Sequence, residues 1–266
     1  MSAYETIRVL ITVKAYPSVS HKYGEVCCVA GVRLDSDRPE FVRLFPVPFR
    51  YLDMTRQFQK YDVVELSASR HHEDRRPESW RPNLDTLTVV GNLPPTDGWA
   101  RRVEQLRSLV SPSLCDIKRR QASDGTSLGL FRPAEVSGLE LAPANSRSAG
   151  QQGLAAQMNL FDPDLDVLEE LPYRFVYTFR CDDAGCNGHQ IGLIDWEVGA
   201  SYLNWRRRYS PAELPGKLRQ KWFDEMTAPG RELFFFTGNL ARWPTAFVLL
   251  GAVYPPVGVM DQLTLF

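Results

Sequence analysis

A polar segment at residues 142–154, with the sequence APANSRSAGQQGL, constrains the fold more than any other feature of this chain. Small and polar residues dominate it, and its few apolar residues follow no period. Such a segment cannot bury enough apolar surface to order itself, so it predicts a linker between two domains. A chain of 266 residues is long enough for each domain to have its own core. The expected divisions are a first domain at residues 1–142, a linker at 143–164, a second domain at 165–256 and a tail at 257–266.

Stretches rich in apolar and β-branched residues predict that the first domain consists mainly of short strands. Two helical stretches, at residues 99–109 and 112–121, lie among them, and Ser111 is the candidate N-cap of the second. Several short strands with few helices are typical of a small antiparallel barrel or a strongly curled sheet, as in the oligonucleotide-binding (OB) and PUA-like folds. The predicted strands lie at residues 7–14, 25–34, 41–45, 61–67, 84–90, 128–132 and 135–141.

The second domain has a mixed pattern, with helices expected at residues 197–209 and 211–227. Its predicted strands lie at residues 173–180, 191–196, 232–237 and 246–254. The predicted fold class is therefore α+β. It combines an N-terminal small antiparallel β-barrel-like (OB/PUA-like) domain with a C-terminal α+β domain that carries a Cys/His loop.

The composition is that of an ordinary soluble globular protein, with 44% hydrophobic and 24% charged residues. No apolar run approaches the roughly 20 residues of a membrane-spanning helix, and the first residues do not resemble a signal peptide. We therefore expect a cytoplasmic protein without a membrane partner. The net charge of −1 gives no overall attraction to nucleic acid, so any such contact must come from local basic patches.

Cys181, Cys186 and His189 lie within one short loop, and glycines in this loop give its backbone the freedom to wrap an ion. Cysteines in a cytosolic chain act as thiols or metal ligands more often than as disulfides. The loop therefore predicts a zinc site, with a structural role favoured over a catalytic one. In the alternative, the cysteines pack as small hydrophobic residues. The fourth ligand stays open between Cys27, Cys28, His71, His72, Asp182, Asp195, Glu197 and a water molecule.

Asp195 and Glu197 follow a predicted strand and precede a predicted helix, so both carboxylates are expected at the edge of a sheet. Metal-dependent nucleases hold divalent ions with carboxylates placed in this way, which makes the pair a weak catalytic candidate. An acidic residue in the first turn of a helix is also favoured by the helix dipole, and this explanation is the simpler one for Glu197.

Clusters of arginine beside aromatic residues predict local contact with nucleic acid. One cluster lies in a polar loop near residues 70–81, and the other lies on a predicted helix near residues 206–208. Consecutive basic residues on a helix are also typical of a solvated face, so the sequence leaves both explanations open. The candidate nucleic-acid-binding residues are Arg70, Arg75, Arg76, Trp80, Arg81, Arg206, Arg207 and Arg208.

Two pentapeptides share the pattern Gln, Leu or Met, any residue, Leu, Phe: QMNLF at residues 157–161 and QLTLF at residues 262–266. The pattern resembles the peptide with which bacterial polymerases and repair proteins dock on the β sliding clamp, the ring that encircles DNA. The resemblance implies that Gln157 and Gln262 form hydrogen bonds at the rim of the clamp cleft. It also implies that the cleft takes up the apolar side chains of Met158, Leu160, Phe161, Leu263, Leu265 and Phe266.

Three functions remain open from the sequence. The first is an accessory protein of DNA replication, repair or genome defence that docks on the β sliding clamp through its tail and contacts DNA. The second is a metal-dependent nuclease or another nucleic-acid-processing enzyme. The third is an RNA-binding or scaffolding module in which both pentapeptides pack on the chain itself. The sequence decides neither whether the protein is an enzyme nor its oligomeric state.

Overall fold

A computed structural model describes residues 3–20, 22–144 and 168–262 of the chain. Most of the predicted linker and both pentapeptides lie outside these ranges, except that the backbone of Gln262 ends the last described helix. The described residues form a mixed α+β structure with mostly strands and few helices, which confirms the predicted class. None of the described helices is both long and apolar enough to cross a bilayer.

The first sheet contains six strands in the order β1-β5-β6-β4-β3-β2. Strand β1 pairs with both β5 and β3, so five strands form a closed ring of pairings. All pairings are antiparallel except that between β4 and β6. The strands are β1 (Glu5–Lys14), β2 (Ser18–Ser20), β3 (Gly24–Arg33), β4 (Glu40–Val47), β5 (Asp62–Arg70) and β6 (Ser79–Asn92).

The second sheet contains seven strands in the order β7-β8-β12-β13-β11-β10-β9. Its strands are β7 (Val110–Ser111), β8 (Leu128–Phe131), β9 (Glu135–Pro143), β10 (Tyr173–Arg180), β11 (His189–Leu193), β12 (Phe234–Leu240) and β13 (Trp243–Val253). The α-helices are α1 (Ala100–Leu106), α2 (Leu114–Asp124), α3 (Trp196–Trp205), α4 (Leu214–Arg219) and α5 (Val259–Gln262). Helix α2 is capped by Ser113, whose hydroxyl accepts from the Asp116 backbone N–H, and not by Ser111, which lies in β7.

The two sheets share an apolar core because β1 is buried on both faces. Val9 and Ile11 point into the ring of the first sheet. Leu10 and Val13 belong instead to a cluster that includes Phe236 and other residues of the second sheet. Alternation places Leu10 on the face opposite Val9 and Ile11, and a register irregularity between Ile11 and Val13 brings Val13 to the same face as Leu10, so β1 contributes to two cores.

The change from one sheet to the other falls between Asn92 and Val110, so it differs from the division predicted near residue 142. Strand β8 pairs with β12, and β9 pairs with β10, which places both strands in the second sheet. The hydrophobic pattern of a strand indicates that it has a buried face, but it does not indicate which distant strand will be its partner.

Candidate metal centre and nucleic-acid surface

Cys115, Cys181, Cys186 and His189 converge at one end of the second sheet, and their ligand atoms all lie within 4.8 Å of one another. Pairing of β10 with β11 sets Phe179 opposite His189, which brings both ends of the connecting loop together. Helix α2 supplies Cys115, whose Sγ lies 3.4 Å from His189 Nε2, and Cys186 Sγ lies at the same distance. The structure therefore unites the three predicted ligands and adds a fourth.

The four ligand atoms suit a tetrahedral ion such as zinc. Zinc–ligand bonds of about 2.0 to 2.3 Å at tetrahedral angles separate neighbouring S and N atoms by roughly 3.6 Å, close to the observed separations. Four protein ligands leave no open coordination position, and this is typical of a structural site. The fourth candidate ligand is Cys115, which is none of the residues considered from the sequence. No pattern in the sequence around Cys115 distinguishes it, because it lies on a helix far from the loop.

The electrostatics of the cluster also favour a cation. Burial raises the pKa of Cys115, the neighbouring Cys181 and Cys186 add to the rise, and together these effects bring it to about 12. Burial lowers the pKa of His189, which keeps its imidazole neutral. Three thiolates at this separation repel one another, and a divalent ion removes the repulsion because it binds the deprotonated sulfurs.

Contacts outside the cluster hold its loop against α2. Asp183 accepts hydrogen bonds from Arg119 (2.9 Å) and from the Gly185 backbone N–H (3.0 Å). The Ser113 hydroxyl that caps α2 also donates to Asp183 (3.4 Å). Such contacts orient metal ligands before the ion binds, because they fix the loop that carries them.

Replacing Cys115 with serine should remove one zinc ligand and lower zinc affinity at least about tenfold. Zinc is measured by mass spectrometry on untagged protein, and Tm by differential scanning calorimetry. Chelation should lower the Tm of the wild type and leave that of Cys115→Ser nearly unchanged. The control Cys28→Ser, at a thiol outside the cluster, should keep the wild-type zinc content. Wild-type protein without stoichiometric zinc would contradict the metal centre.

A second charged cluster lies between the two sheets. Lys60 Nζ lies 2.5 Å from Asp195 Oδ2 and 3.1 Å from Glu197 Oε2. The Lys60 and Asp195 side chains are almost completely buried, whereas that of Glu197 is half exposed. Burial by itself would lower the pKa of Lys60, but the two carboxylates outweigh this effect and raise it. A charged lysine and the Asp195 carboxylate thus form a buried ion pair.

The geometry gives Asp195 a structural role that accounts for its contacts. Its Oδ1 accepts from the Glu197 backbone N–H (2.8 Å), which makes Asp195 the N-cap of α3, and its Oδ2 is held by Lys60. Glu197 lies in the first turn of the same helix, where the helix dipole favours a negative charge. These contacts do not favour the catalytic role that the sequence offered for the pair.

Lys14 lies in the same region but has no carboxylate as a hydrogen-bond partner among the described residues. Its Nζ donates to the Phe58 carbonyl (3.3 Å) and lies 3.7 Å from the centre of the Phe49 ring. Burial lowers the pKa of Lys14 to about 8, although the charges of Cys27, Glu197 and Asp195 oppose the shift and Lys60 adds to it. The ammonium form of Lys14 is therefore costly to bury near neutral pH.

Replacing Lys14 with methionine should stabilise the protein at neutral pH by about 3 kcal/mol, because the wild type buries a charge there. The pKa is lowered on folding, so the unfolded chain binds more protons between about pH 8 and 10.5, and wild-type stability rises across this window. The advantage of Lys14→Met should therefore disappear by pH 10.5. The difference in the free energy of unfolding between Lys14→Met and the wild type is measured by urea unfolding at several pH values, with the exposed Lys217→Met as the control. A difference that stays constant with pH would contradict the proposed burial cost.

The predicted nucleic-acid residues of the first cluster have different environments. Arg75 and Arg81 are exposed, and so is Arg70. Trp80 is only 2% exposed, with the Arg70 and Arg33 guanidinium carbons 4.2 and 5.2 Å from its ring centre, so it is not available to stack on a base. Arg76 forms bidentate hydrogen bonds with Asp74 and donates to the Asn239 carbonyl (2.8 Å).

The second cluster lies at the end of α3. Arg206 forms an ion pair with Glu169, so the exposed cations of this cluster are Arg207 and Arg208. The Glu169 backbone carbonyl also accepts from the Tyr16 hydroxyl (2.9 Å), so this contact links α3 to the chain that follows β1. Arg206 is therefore held in a structural ion pair.

The hairpin between β12 and β13 adds two exposed residues that the sequence did not single out. Trp243 is 56% exposed, and the Arg242 guanidinium carbon lies 5.1 Å from its ring centre. The hydrogen bond from Arg76 to the Asn239 carbonyl joins this hairpin to the loop that carries Arg75. We call the surface formed by Arg75, Arg242 and Trp243 the basic surface. The sequence feature that could have indicated this surface is an arginine next to a tryptophan in a turn between two predicted strands.

The chain belongs to the family described as "Domain of unknown function (DUF8757)", whose model matches residues 110–266. A second model, described as "Domain of unknown function (DUF8758)", matches residues 5–108. The boundary between the two matches falls in the connection between the two sheets. No curated protein matches the chain.

Two solved structures share limited similarity with this chain. One is described as "Structure of murine DNA binding protein bound with ds DNA"; it is 10% identical, with 94% of each chain covered and a TM-score of 0.32. The other is described as "Crystal structure of p204 HINb domain"; it is 7% identical, with 96% of this chain and 97% of that chain covered and a TM-score of 0.31. At these TM-scores, neither similarity assigns a fold or a function.

Proposed function

We propose that this protein is an accessory protein of DNA replication, repair or genome defence that docks on the β sliding clamp and contacts nucleic acid through the basic surface. Residues 262–266 are the first docking peptide, and residues 157–161 are the second. In this proposal, the closed ring of the first sheet is an OB/PUA-like barrel, and zinc at the Cys115 cluster has a structural role.

The observation that carries the docking proposal is the position of the internal pentapeptide between two paired strands. Pro143 at the end of β9 is paired directly with Tyr173 at the start of β10. A connection of two to five residues suffices for such a pair. Residues 144–172 are far more than the hairpin requires, so their length supports a role other than joining the two strands.

Two docking peptides on one chain also suit a ring that offers several equivalent clefts. When one peptide is bound, the other meets the ring at an effective concentration on the order of millimolar. Each peptide alone would bury only a few apolar side chains, and we expect it to bind the clamp with a Kd roughly in the micromolar range. The pair would therefore bind a clamp much more tightly than either peptide.

The basic surface supports contact with nucleic acid because it combines two exposed guanidinium groups with an exposed indole ring. Guanidinium groups bind phosphates, and aromatic rings stack on unpaired bases. The surface includes a loop from the first sheet and a hairpin from the second, which Arg76 joins. The position of Trp243 beside Arg242 favours a single-stranded or locally opened ligand.

Clamp docking is tested with the double variant Leu265→Ala/Phe266→Ala and with Leu160→Ala/Phe161→Ala. Removal of two apolar side chains from a docking peptide should weaken binding to the purified clamp by about ten- to a hundredfold, measured by surface plasmon resonance. The control Val89→Ala/Val90→Ala changes two exposed apolar residues of β6 and should bind as the wild type does. Equal affinity of all three double variants and the wild type would eliminate clamp docking by these peptides.

Nucleic-acid contact is tested with Arg75→Glu/Arg242→Glu in a fluorescence anisotropy titration against single-stranded and duplex DNA. Affinity should fall about tenfold or more, and the salt dependence should weaken by about one ion per lost phosphate contact. The control Arg38→Glu/Arg101→Glu makes the same change in net charge at exposed arginines outside the basic surface. If the control loses as much affinity, the contact is not localised to the basic surface.

A further inference from the structure

A cavity of about 380 Å³ lies between the two sheets, next to the basic surface. The first sheet and its loops contribute Tyr23, Arg43, Phe45 and His71, and the second sheet contributes Asn239 among others. Its walls are mainly apolar, with Leu240, Val248 and Leu250 from β12 and β13. Small-molecule sites have this character, because apolar walls supply contact area and a few polar groups supply orientation.

Three polar side chains of this cavity each carry a buried atom with no hydrogen-bond partner among the described residues. The atoms are Arg43 Nε, His71 Nε2 and Asn239 Oδ1, and the three residues are 1%, 8% and 5% exposed. Only one other buried side-chain atom in the described ranges, Trp222 Nε1, shares this property. A buried polar atom without a partner is unfavourable, so three of them around one cavity indicate a bound group that completes their hydrogen bonds.

The remaining contacts of these side chains fix what each unpartnered atom can do. The two terminal nitrogens of Arg43 donate to the Ser127 hydroxyl (2.8 Å) and carbonyl (3.0 Å), which leaves Nε–H as a donor. His71 Nδ1 accepts from the Asp74 backbone N–H (3.2 Å), so the neutral ring carries its proton on Nε2. Asn239 Nδ2 donates to the Pro244 carbonyl (2.8 Å), which leaves Oδ1 as an acceptor.

We propose that this cavity binds a nucleobase. A nucleobase can satisfy the two donors and one acceptor of these lining residues, because it carries carbonyl or ring-nitrogen acceptors together with N–H donors. Tyr23 and Phe45 add aromatic rings to the wall, and a flat heterocycle packs well against such rings. The volume is sufficient for a base with its sugar.

The base can belong to a free nucleotide or be an unpaired base extruded from nucleic acid. Lys22 and Arg76 also line the cavity, together with Glu73 and Asp74, with which they form ion pairs; a phosphate of either ligand would compete with these carboxylates for the two cations. Arg76 joins the cavity to the hairpin of Arg242 and Trp243, so a strand on the basic surface would lie near the cavity. The extruded-base form rests on the proposed nucleic-acid function, whereas the free-nucleotide form does not.

Two substitutions test the cavity in the full-length protein. Ile194→Trp fills it from a position that is 37% exposed, and His71→Phe keeps an aromatic ring but removes the Nε2 donor. Val257→Trp is the matched control because it adds the same ring at an exposed position that does not line the cavity. The probes are the four common nucleoside monophosphates, titrated by calorimetry, and single-stranded DNA that contains 2-aminopurine, whose fluorescence rises when the base leaves the stack.

At least one nucleotide, or the 2-aminopurine base in DNA, should bind to the wild type and to Val257→Trp. Binding should be about tenfold or more weaker in His71→Phe and absent in Ile194→Trp, because the first loses a hydrogen bond and the second loses the space. A signal with 2-aminopurine DNA but not with free nucleotides identifies an extruded base as the ligand, and the reverse identifies a free nucleotide.

The proposal is overturned if no nucleotide binds and the 2-aminopurine signal is the same in the wild type and Ile194→Trp. The proposed function survives that result when anisotropy still shows DNA binding that depends on Arg75 and Arg242. Conversely, nucleotide binding by a protein with no affinity for DNA would support the cavity proposal and remove nucleic-acid contact from the proposed function.

Discussion

The packing of the two sheets against each other depends on the contacts of one buried residue, Asp195. Its backbone bridges to Ala15, one carboxylate oxygen caps α3, and the other binds Lys60 from the connection before β5. One side chain thus joins both halves of the chain. A buried charge that loses its partner is strongly destabilising, so Lys60 and Asp195 hold each other in place.

The two candidate sites depend on this contact to different degrees. The nucleobase cavity takes Arg43 and His71 from the first half and Asn239 from the second, so it exists only while the two sheets are packed. The Cys115 cluster lies entirely within the second half, and it ties α2 to the β10–β11 hairpin. Metal binding would therefore stabilise one half of the protein, whereas ligand binding in the cavity would stabilise the association of both halves.

The environments of single residues show where reasoning from sequence reaches its limit. The sequence indicates Cys181, Cys186 and His189 as one group because a loop keeps its own residues close together whatever the rest of the chain does. It does not indicate Cys115, because this residue reaches the loop only when α2 packs beside the second sheet. Trp80 looks like an exposed aromatic residue in a polar loop, yet two arginines and the core of the first sheet cover it. Burial of this kind depends on neighbours that are distant in sequence.

The sequence by itself determined the α+β character, most strand and helix positions, the loop with three candidate metal ligands, and the pentapeptides on which the docking proposal rests. These features follow from local periodicity, capping and spacing, which act over a few residues. Only the tertiary structure decided the sheet to which β8 and β9 belong, the position of Cys115 as the fourth candidate ligand, and the cavity with its three unpartnered atoms. Each of these depends on pairing between distant segments, and many alternative pairings satisfy the same local pattern until the shared core selects one.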